Sequence, residues 1–303
     1  MSKFDVVGFG ALNFDTIINL PEAVRPDHEI RITSRRESGG GSAANSTVAM
    51  ARLGLKTAYI GKVGTDIISN FLLGEFEREK IDTSMMLKEE GNSGFALCIN
   101  MPNVDRVILI DPGVNDSSYL TKINLAELDS EWLHLSMLID SNSFYENLDK
   151  FKGKISFAPG TIGVQKGYDR ILPIIKRSNL IIMNKKELKA LVNLDYKEGA
   201  KKLLDLGPET VIITWGQGYY ILTKTEEFEP LREKVVVSEK PIDTTGAGDC
   251  FTAGFIYGLI NNKSIKECGL IGNLIANQCV QGHGHENYPT EEKLKELLSK
   301  YTI

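Results

Sequence analysis

The sequence predicts an α/β fold with a doubly wound, mostly parallel sheet flanked by helices. Short apolar, β-branched runs recur along the chain, and such continuous runs are typical of parallel strands buried on both faces. Helical patterns lie between these runs, and this alternation indicates βαβ units with right-handed crossovers. The chain has 303 residues, of which 42% are hydrophobic and 25% charged, so it can bury a large core.

Each predicted element follows from its own pattern. The apolar runs predict strands at Phe4–Phe9, Thr57–Ile60, Val107–Ile110, Trp132–Leu138, Lys154–Phe157, Leu180–Met183 and Val211–Thr214. Helical period predicts helices at Ala43–Leu53, Ile67–Glu79, Asp169–Lys176, Lys185–Val192, Glu198–Leu206, Gly248–Ile260, Ile265–Val280 and Glu291–Ser299.

Two segments interrupt this rhythm, at about Phe14–Thr33 and Ser93–Asn100. Both resemble short strands and have little helical period. They predict a small β lid, formed by insertions into a single domain that spans residues 1–303. Because sheets with an exposed apolar face often pair, the lid also predicts a homodimer.

Composition narrows the classes of partner. A net charge of −5 provides no basic field, so neither nucleic acid nor anionic lipid is an expected partner. No apolar stretch approaches the roughly 18–20 residues that span a bilayer, so no membrane association is expected. The N-terminus enters a strand-like run without a signal-peptide core, which predicts a cytoplasmic protein.

The strongest motif is DTTGAGD at Asp243–Asp249, directly before a predicted helix. Glycines permit a tight turn, so the backbone N–H groups of Gly246, Ala247 and Gly248 can form an anion site at the helix N-terminus. Asp249 is predicted to remain ionised there and to accept a hydroxyl proton while the N–H groups stabilise a transferring phosphoryl group. The structural alternative is a glycine-rich turn in which Asp249 caps the helix.

Several motifs together resemble the ribokinase (PfkB) family of carbohydrate and nucleoside kinases. DTTGAGD matches one signature of that family, and GGGSAAN at Gly39–Asn45, which continues as STVAMARLG, matches the other. The remaining matches follow in the family's order, at Gly61–Asp66, Asn184-x-x-Glu187 and Thr214-x-Gly216-x-Gly218. The resemblance spans almost the whole chain and implies a ribokinase-like fold and ATP-dependent phosphorylation of a hydroxyl of a sugar or nucleoside.

The resemblance also assigns the acceptor side. Glycine backbone can approach a polyol closely, and an asparagine can both donate and accept hydrogen bonds to hydroxyls. The residues implied to bind the acceptor are Asn13, Asp15, Gly40, Gly41 and Asn45.

On the donor side, the resemblance implies that ATP binds with Mg²⁺. The implied nucleotide residues are Asn184, Thr214, Gly216, Gly218 and Asn273. Glu187 is implied to serve Mg²⁺, although Asn184 and Glu187 have the spacing of a capping box as well. Asp243 matches a position near which relatives hold a monovalent cation such as K⁺.

Some residues depart from the family pattern or suggest other functions. Ser42 stands where ribokinase-like relatives often have lysine, and Ala158 replaces an aspartate, so ribose is not specified. Arg31, Arg35 and Arg36 are predicted to form a solvated surface, and the alternative, in which they bind a phosphate, leaves a phosphorylated sugar open as acceptor. A non-catalytic sugar-binding regulator is the other alternative. The Gly8-x-Gly10 sequence is too short for a dinucleotide fingerprint, and His283-x-His285 indicates a polar loop rather than a metal site.

Overall fold

The computed structural model describes residues 2–102, 104–116, 123–136, 147–216, 218–230 and 241–300. Its strands are β1 Phe4–Phe9, β2 Asn13–Asn19, β3 Ser34–Gly40, β4 Thr57–Ile60, β5 Lys62–Val63, β6 Leu87–Lys88, β7 Gly94–Met101, β8 Val104–Asp111, β9 Ser130–Ser136, β10 Lys154–Ala158, β11 Leu180–Asn184, β12 Thr210–Trp215, β13 Gly218–Thr223 and β14 Glu227–Phe228. Its α-helices are α1 Ser42–Arg52, α2 Ile67–Arg78, α3 Gly160–Gln165, α4 Tyr168–Arg177, α5 Lys185–Val192, α6 Tyr196–Leu204, α7 Ala247–Ile260, α8 Ile265–Cys279 and α9 Glu291–Leu298. None of these helices combines the length and apolar composition that crossing a bilayer requires. The last two residues of the strand predicted at Trp132–Leu138 lie outside the described residues.

Within the described residues, the main sheet has eight strands in the order β4-β1-β9-β10-β11-β12-β13-β14. Neighbours from β4 to β12 are parallel, whereas β13 and β14 are antiparallel additions at one edge. The chain runs from β1 to β4 on one side and then to β9 on the other, so the sheet is doubly wound as predicted. Ligands bind at such a reversal, beyond the carboxyl ends of the strands.

The strands of the main sheet are almost continuously apolar because successive side chains point into two different cores, one on each face of the sheet. Val6 belongs to the core on one face of the sheet and Val7 to the core on the other. The same alternation places Ile212 in the first core and Val211 in the second. Because helices cover both faces, most positions of the central strands are buried, and most of these buried positions are apolar.

A second, smaller sheet has the strand order β3-β2-β7-β8 and is called the small sheet below. The two segments expected to form a lid contribute β2 and β7 to it, whereas residues 20–33 form neither helix nor strand. The prediction that Val107–Ile110 forms a buried parallel strand is wrong. These residues lie in β8, which pairs antiparallel with β7 and leaves its apolar side chains 40–53% exposed. A short apolar run has the same sequence pattern in a buried parallel strand as in an exposed antiparallel edge strand.

The small sheet leads directly into the first helix. β3 ends at Gly40, Gly41 has a φ of +97°, and α1 begins at Ser42. A Cβ atom on Gly41 would lie 2.2 Å from the carbonyl oxygen of Ala11, two residues after the end of β1. Only glycine permits both this conformation and this approach, so the turn fixes the start of α1 beside the carboxyl end of the main sheet.

Candidate active site

Asp249 lies in the first turn of α7, and its side chain faces α1. It accepts hydrogen bonds from Ser42 Oγ at 2.5 Å and Asn45 Nδ2 at 2.9 Å. The N-cap residue is Gly246, and no side chain caps the helix. The structural alternative, in which Asp249 caps the helix, is therefore wrong, and the carboxylate instead joins two helices whose bonded residues lie more than 200 positions apart in sequence.

Burial raises the pKa of Asp249, whereas the hydrogen bonds from Ser42 and Asn45 lower it. Sequence reasoning considered only the helix dipole, which favours the charged form. Desolvation opposes that effect and makes the carboxylate a stronger base.

The turn before α7 has the glycine geometry that the motif predicts. Gly246 has a φ of +77°, and a Cβ atom there would lie 2.2 Å from the hydroxyl oxygen of Tyr288. A Cβ atom on Gly248 would meet open space. The Ala247 N–H donates to the carbonyl oxygen of Thr244 at 3.3 Å. The N–H groups of Gly248 and Asp249 lie in the first turn of α7, where no carbonyl group of the helix is in position to accept from them.

A cavity of about 370 Å³ opens in front of this turn. Its lining includes Ala247, Gly248 and Asp249 of the first turn of α7, and apolar side chains such as those of Tyr219 and Phe251. It brings together the residues predicted to bind the nucleotide, namely Asn184, Thr214, Gly216, Gly218 and Asn273, and the predicted magnesium residue Glu187. Gly246 and Asp243 are not among the described lining residues.

Asn184 and Glu187 form the capping box that the sequence left as one of two interpretations. Asn184 Oδ1 accepts from the Glu187 N–H, and Glu187 Oε2 accepts from the Asn184 N–H, both at 2.9 Å. Burial raises the pKa of Glu187, and the charge of Asp249 raises it further. Capping is therefore real, and the magnesium role remains a prediction.

The predicted acceptor residues lie on the other side of Asp249, where the small sheet meets α1. Asn13 is directly paired with Gly40, and its Oδ1 accepts from Asn115 Nδ2 at 3.0 Å. The Asp15 carboxylate lies against Gly40, at which a Cβ atom would be 2.1 Å from Asp15 Oδ2. The structure thus brings Asn13, Asp15, Gly40 and Gly41 together, and Asn45 connects them to Asp249.

Asp15 has an unusual environment for a carboxylate. Its Oδ1 is buried and has no hydrogen-bond partner among the described residues. Burial raises its pKa to about 7, and the nearby charges of Asp249 and Glu75 contribute to the rise. A buried carboxylate oxygen that lacks a donor can receive one from a bound hydroxyl.

Several residues of the site were not predicted. Ser42 was noted only as a departure from the family pattern, but it donates to Asp249. Arg106 of β8 donates to Thr245 Oγ1 at 2.5 Å, and Glu75 Oε2 accepts from the Gly39 N–H at 2.5 Å. His285 was assigned to a polar loop, yet it is buried and contacts Asn45. No local sequence pattern indicates these contacts, because each joins segments that are distant in sequence.

Metal-binding groups are sparse in the described residues, which include no cluster of three or more His, Cys, Asp or Glu side chains arranged to hold a metal ion. Glu187 nevertheless suits Mg²⁺, because this ion keeps several waters and often uses one or two carboxylates together with substrate phosphates. Asp243 accepts from the Thr245 N–H at 2.8 Å, and its other oxygen lies 3.5 Å from His283 Nδ1. The monovalent cation near Asp243 remains a prediction.

Comparison with known proteins identifies the family. Residues 3–293 match the family described as pfkB family carbohydrate kinase. An uncharacterized sugar kinase from Archaeoglobus fulgidus is 35% identical over 246 residues, which cover 78% of this chain and 96% of that protein. The crystal structure of a Methanocaldococcus jannaschii nucleoside kinase, an archaeal member of the ribokinase family, has a TM-score of 0.84 and 26% identity, with 99% of each chain covered.

The fold comparison extends to more distant proteins. An Arabidopsis thaliana ribokinase complexed with ribose and ATP has a TM-score of 0.84 over the full length of both chains, and its 20% identity supports the fold alone. Together these matches confirm the predicted ribokinase-like fold and kinase class. The chain belongs to the pfkB family of carbohydrate kinases and is a phosphotransferase that acts on an alcohol group.

Proposed function

We propose that the chain transfers the γ-phosphoryl group of ATP to a hydroxyl of a neutral sugar or of the ribose of a nucleoside, with Asp249 as general base. The position of Asp249 is the main support. It lines the cavity that contains the predicted nucleotide residues and accepts a hydrogen bond from Asn45 on the acceptor side. A carboxylate between the nucleotide residues and the acceptor residues can reach both the attacking hydroxyl and the phosphate.

In this mechanism Asp249 takes the proton of the acceptor hydroxyl as the hydroxyl oxygen attacks the γ-phosphorus in line. The bond from that phosphorus to the β,γ-bridging oxygen breaks, and ADP leaves. First-turn N–H groups of α7 and the helix dipole stabilise the charge that develops on the transferring group. When bound, Mg²⁺ would neutralise phosphate charge near Glu187.

A neutral polyol fits the acceptor side better than an anionic one. The Asp15 carboxylate can accept hydrogen bonds from hydroxyls but repels a phosphate close to it. Asp249 and Glu75 add to the negative charge in this region. The names of the relatives include a sugar kinase and a nucleoside kinase, which is consistent with either kind of neutral acceptor.

A panel of sugars, nucleosides and their monophosphates, assayed with ATP and Mg²⁺, tests this assignment. For at least one neutral compound, we expect kcat/KM to be about tenfold or more higher than for its own phosphorylated form. A single interaction with a charged group contributes enough free energy to change kcat/KM by this factor. A strong preference for phosphorylated acceptors would contradict the assignment.

The magnesium role of Glu187 can be separated from its capping role by Glu187→Gln. Glutamine still accepts from the Asn184 N–H, so we expect little change in the free energy of unfolding. The Mg²⁺ concentration for half-maximal activity should rise about tenfold or more, the size seen for residues that orient a metal's ligands. Activity titrated against Mg²⁺ measures this change.

Glu267→Gln is a matched control for that experiment. Glu267 forms the same kind of capping box, with Ser264 at the start of α8, but it is only partly buried and lies outside the cavity. It should leave the Mg²⁺ requirement unchanged. Equal effects of the two substitutions, or none from Glu187→Gln, would reduce Glu187 to a helix cap.

We further expect a homodimer that forms through the small sheet. Strand β8 is at its edge and exposes Leu109 by 53%, and unpaired edges with apolar side chains favour association. Leu109→Lys should shift the protein towards monomer in sedimentation velocity runs. Ile67→Lys, at an 85% exposed position on α2, should not. A wild-type protein that remains monomeric at micromolar concentration would exclude the dimer.

A further inference from the structure

A buried histidine extends the hydrogen-bond network of Asp249 beyond Asn45. His285 Nε2 lies 2.8 Å from Asn45 Oδ1, and Asn45 Nδ2 lies 2.9 Å from Asp249 Oδ2. His285 is 8% exposed and Asn45 is 7% exposed. The three side chains therefore form a continuous chain that links the loop before α9, helix α1 and helix α7.

The direction of each hydrogen bond in this chain follows from chemistry. An ionised carboxylate only accepts hydrogen bonds, so the Asn45 group facing Asp249 must be its NH₂ group. The Asn45 carbonyl oxygen then faces His285 and can only accept, which requires a proton on Nε2. Burial lowers the pKa of His285 to about 4, so the ring is neutral near neutral pH and carries its single proton on Nε2.

The loop that contains His285 is attached to α1 by more than this one bond. Arg52, the last residue of α1, donates to the carbonyl oxygens of Glu286 at 3.0 Å and Tyr288 at 3.1 Å. The Arg52 guanidinium is held by Glu79 through bonds of 2.9 and 2.7 Å. The ring of Tyr288 packs 5.2 Å from that of His285. His285 is therefore held by its contact with Asn45 and by packing against Tyr288, in a loop that Arg52 attaches to α1.

We propose that His285 is a positioning residue that fixes the orientation of the Asn45 amide and, through it, the Asp249 carboxylate. The proposal rests on the proposed role of Asp249 as base. An asparagine amide can rotate by half a turn with little change in shape. Without the Nε2–H donor, the buried Asn45 carbonyl oxygen would lose its partner, so the amide would be free to shift or rotate towards another donor, and the hydrogen bond that holds the Asp249 carboxylate would be weakened.

Two substitutions separate the donor from the ring. His285→Phe keeps a planar ring against Tyr288 but removes the donor, whereas His285→Gln retains an N–H donor at a similar reach. We expect His285→Phe to lower kcat about tenfold, the size expected for the loss of one hydrogen bond that positions a catalytic group. His285→Gln should recover most of that loss, and KM for ATP should remain within about twofold in both. His28→Phe, at an exposed histidine, is the matched control and should leave kcat unchanged.

A double-mutant cycle with Asn45→Ala tests whether His285 acts through Asn45. If it does, His285→Phe should have almost no further effect in the Asn45→Ala background, because the group it orients is gone. Additive effects on kcat, or equal losses for the phenylalanine and glutamine variants, would overturn the proposal. A wild-type protein without kinase activity on any acceptor would instead contradict the proposed function, so the two failures can be distinguished.

The wild-type protein provides an independent test that needs no stable variant. In ¹⁵N-histidine spectra, His285 should be neutral and protonated on Nε2 near pH 7. Backbone-linked assignment and the nuclear Overhauser contact between the rings of His285 and Tyr288, whose centroids are 5.2 Å apart, identify its signals among those of the four histidines without any substitution. A ring protonated on Nδ1 alone, or on both nitrogens, would overturn the assignment even if every variant unfolded.

Discussion

Asp249→Asn is expected to lower kcat by at least about 10²–10⁴-fold, the usual contribution of a general base. An amide cannot take the hydroxyl proton, although it has nearly the same shape as the carboxylate. The substituted amide can accept from Asn45 through its oxygen and donate to Ser42, whose hydroxyl accepts as well as donates. Since Asp249 does not cap α7, the helix loses no cap, and the variant should remain folded.

Steady-state kinetics and nucleotide binding measure this prediction together. ATP affinity should survive the substitution, because the proposed anion site consists of backbone N–H groups. Asp205→Asn, at an exposed position at the end of α6, is the matched control and should not change kcat. A folded Asp249→Asn protein with kcat within about tenfold of wild type would contradict the role of Asp249 as base.

Asp15→Asn is expected to produce the second-largest effect, on the acceptor alone. Hydrogen bonds to a charged group contribute about 1.5–3 kcal/mol, so kcat/KM for the acceptor should fall about 10- to 100-fold above pH 7. KM for ATP should change little, because Asp15 is not among the described residues that line the donor cavity. Equal effects on both substrates would contradict this assignment.

The pH dependence provides the check on the Asp15 prediction. Because the pKa of Asp15 is raised to about 7, wild-type kcat/KM for the acceptor should fall as the pH decreases through about 7, and Asp15→Asn should lose that dependence.

The contribution of Asp15 to stability has the opposite pH dependence. The folded state binds this proton more tightly than the unfolded state does, so Asp15 lowers the free energy of unfolding as the pH rises from about 4 to about 7. In urea unfolding experiments without substrates, the free energy of unfolding of Asp15→Asn relative to that of wild type should therefore be larger at high pH than at low pH.

The parallel part of the central sheet was predictable because its strands have apolar runs that match burial on both faces, whereas the antiparallel edge strands β13 and β14 were not predicted. β1 and β4 have the predicted boundaries, since both faces are apolar and both ends meet turn residues. The small sheet was less predictable. β3 has the sequence SRRESGG, which has no strand pattern, and it becomes a strand because β2 supplies backbone partners along its length. Its pairing depends on the tertiary structure and not on local propensity.

The candidate site shows the same division. Its backbone elements were predictable, because the glycines at 41 and 246 indicate turns with a positive φ angle, a conformation that favours glycine. The side-chain network was not. His285 and Asn45 are 240 positions apart, and neither has a neighbour in sequence that indicates the contact. Burial also changed the expected electrostatics, because the pKa values of Asp15 and Asp249 rise through desolvation, which depends on the whole fold.

The most direct test of the account follows the γ-phosphate itself. Wild-type protein and Asp249→Asn would be incubated with γ-labelled ATP, Mg²⁺ and the best acceptor from the panel, and labelled phosphate ester would be measured. We expect wild type to form a labelled ester of the acceptor hydroxyl in equal amount with ADP, and the folded variant to form it at least about 10²-fold more slowly. Label found only as inorganic phosphate, or ester formed equally fast by both proteins, would contradict it.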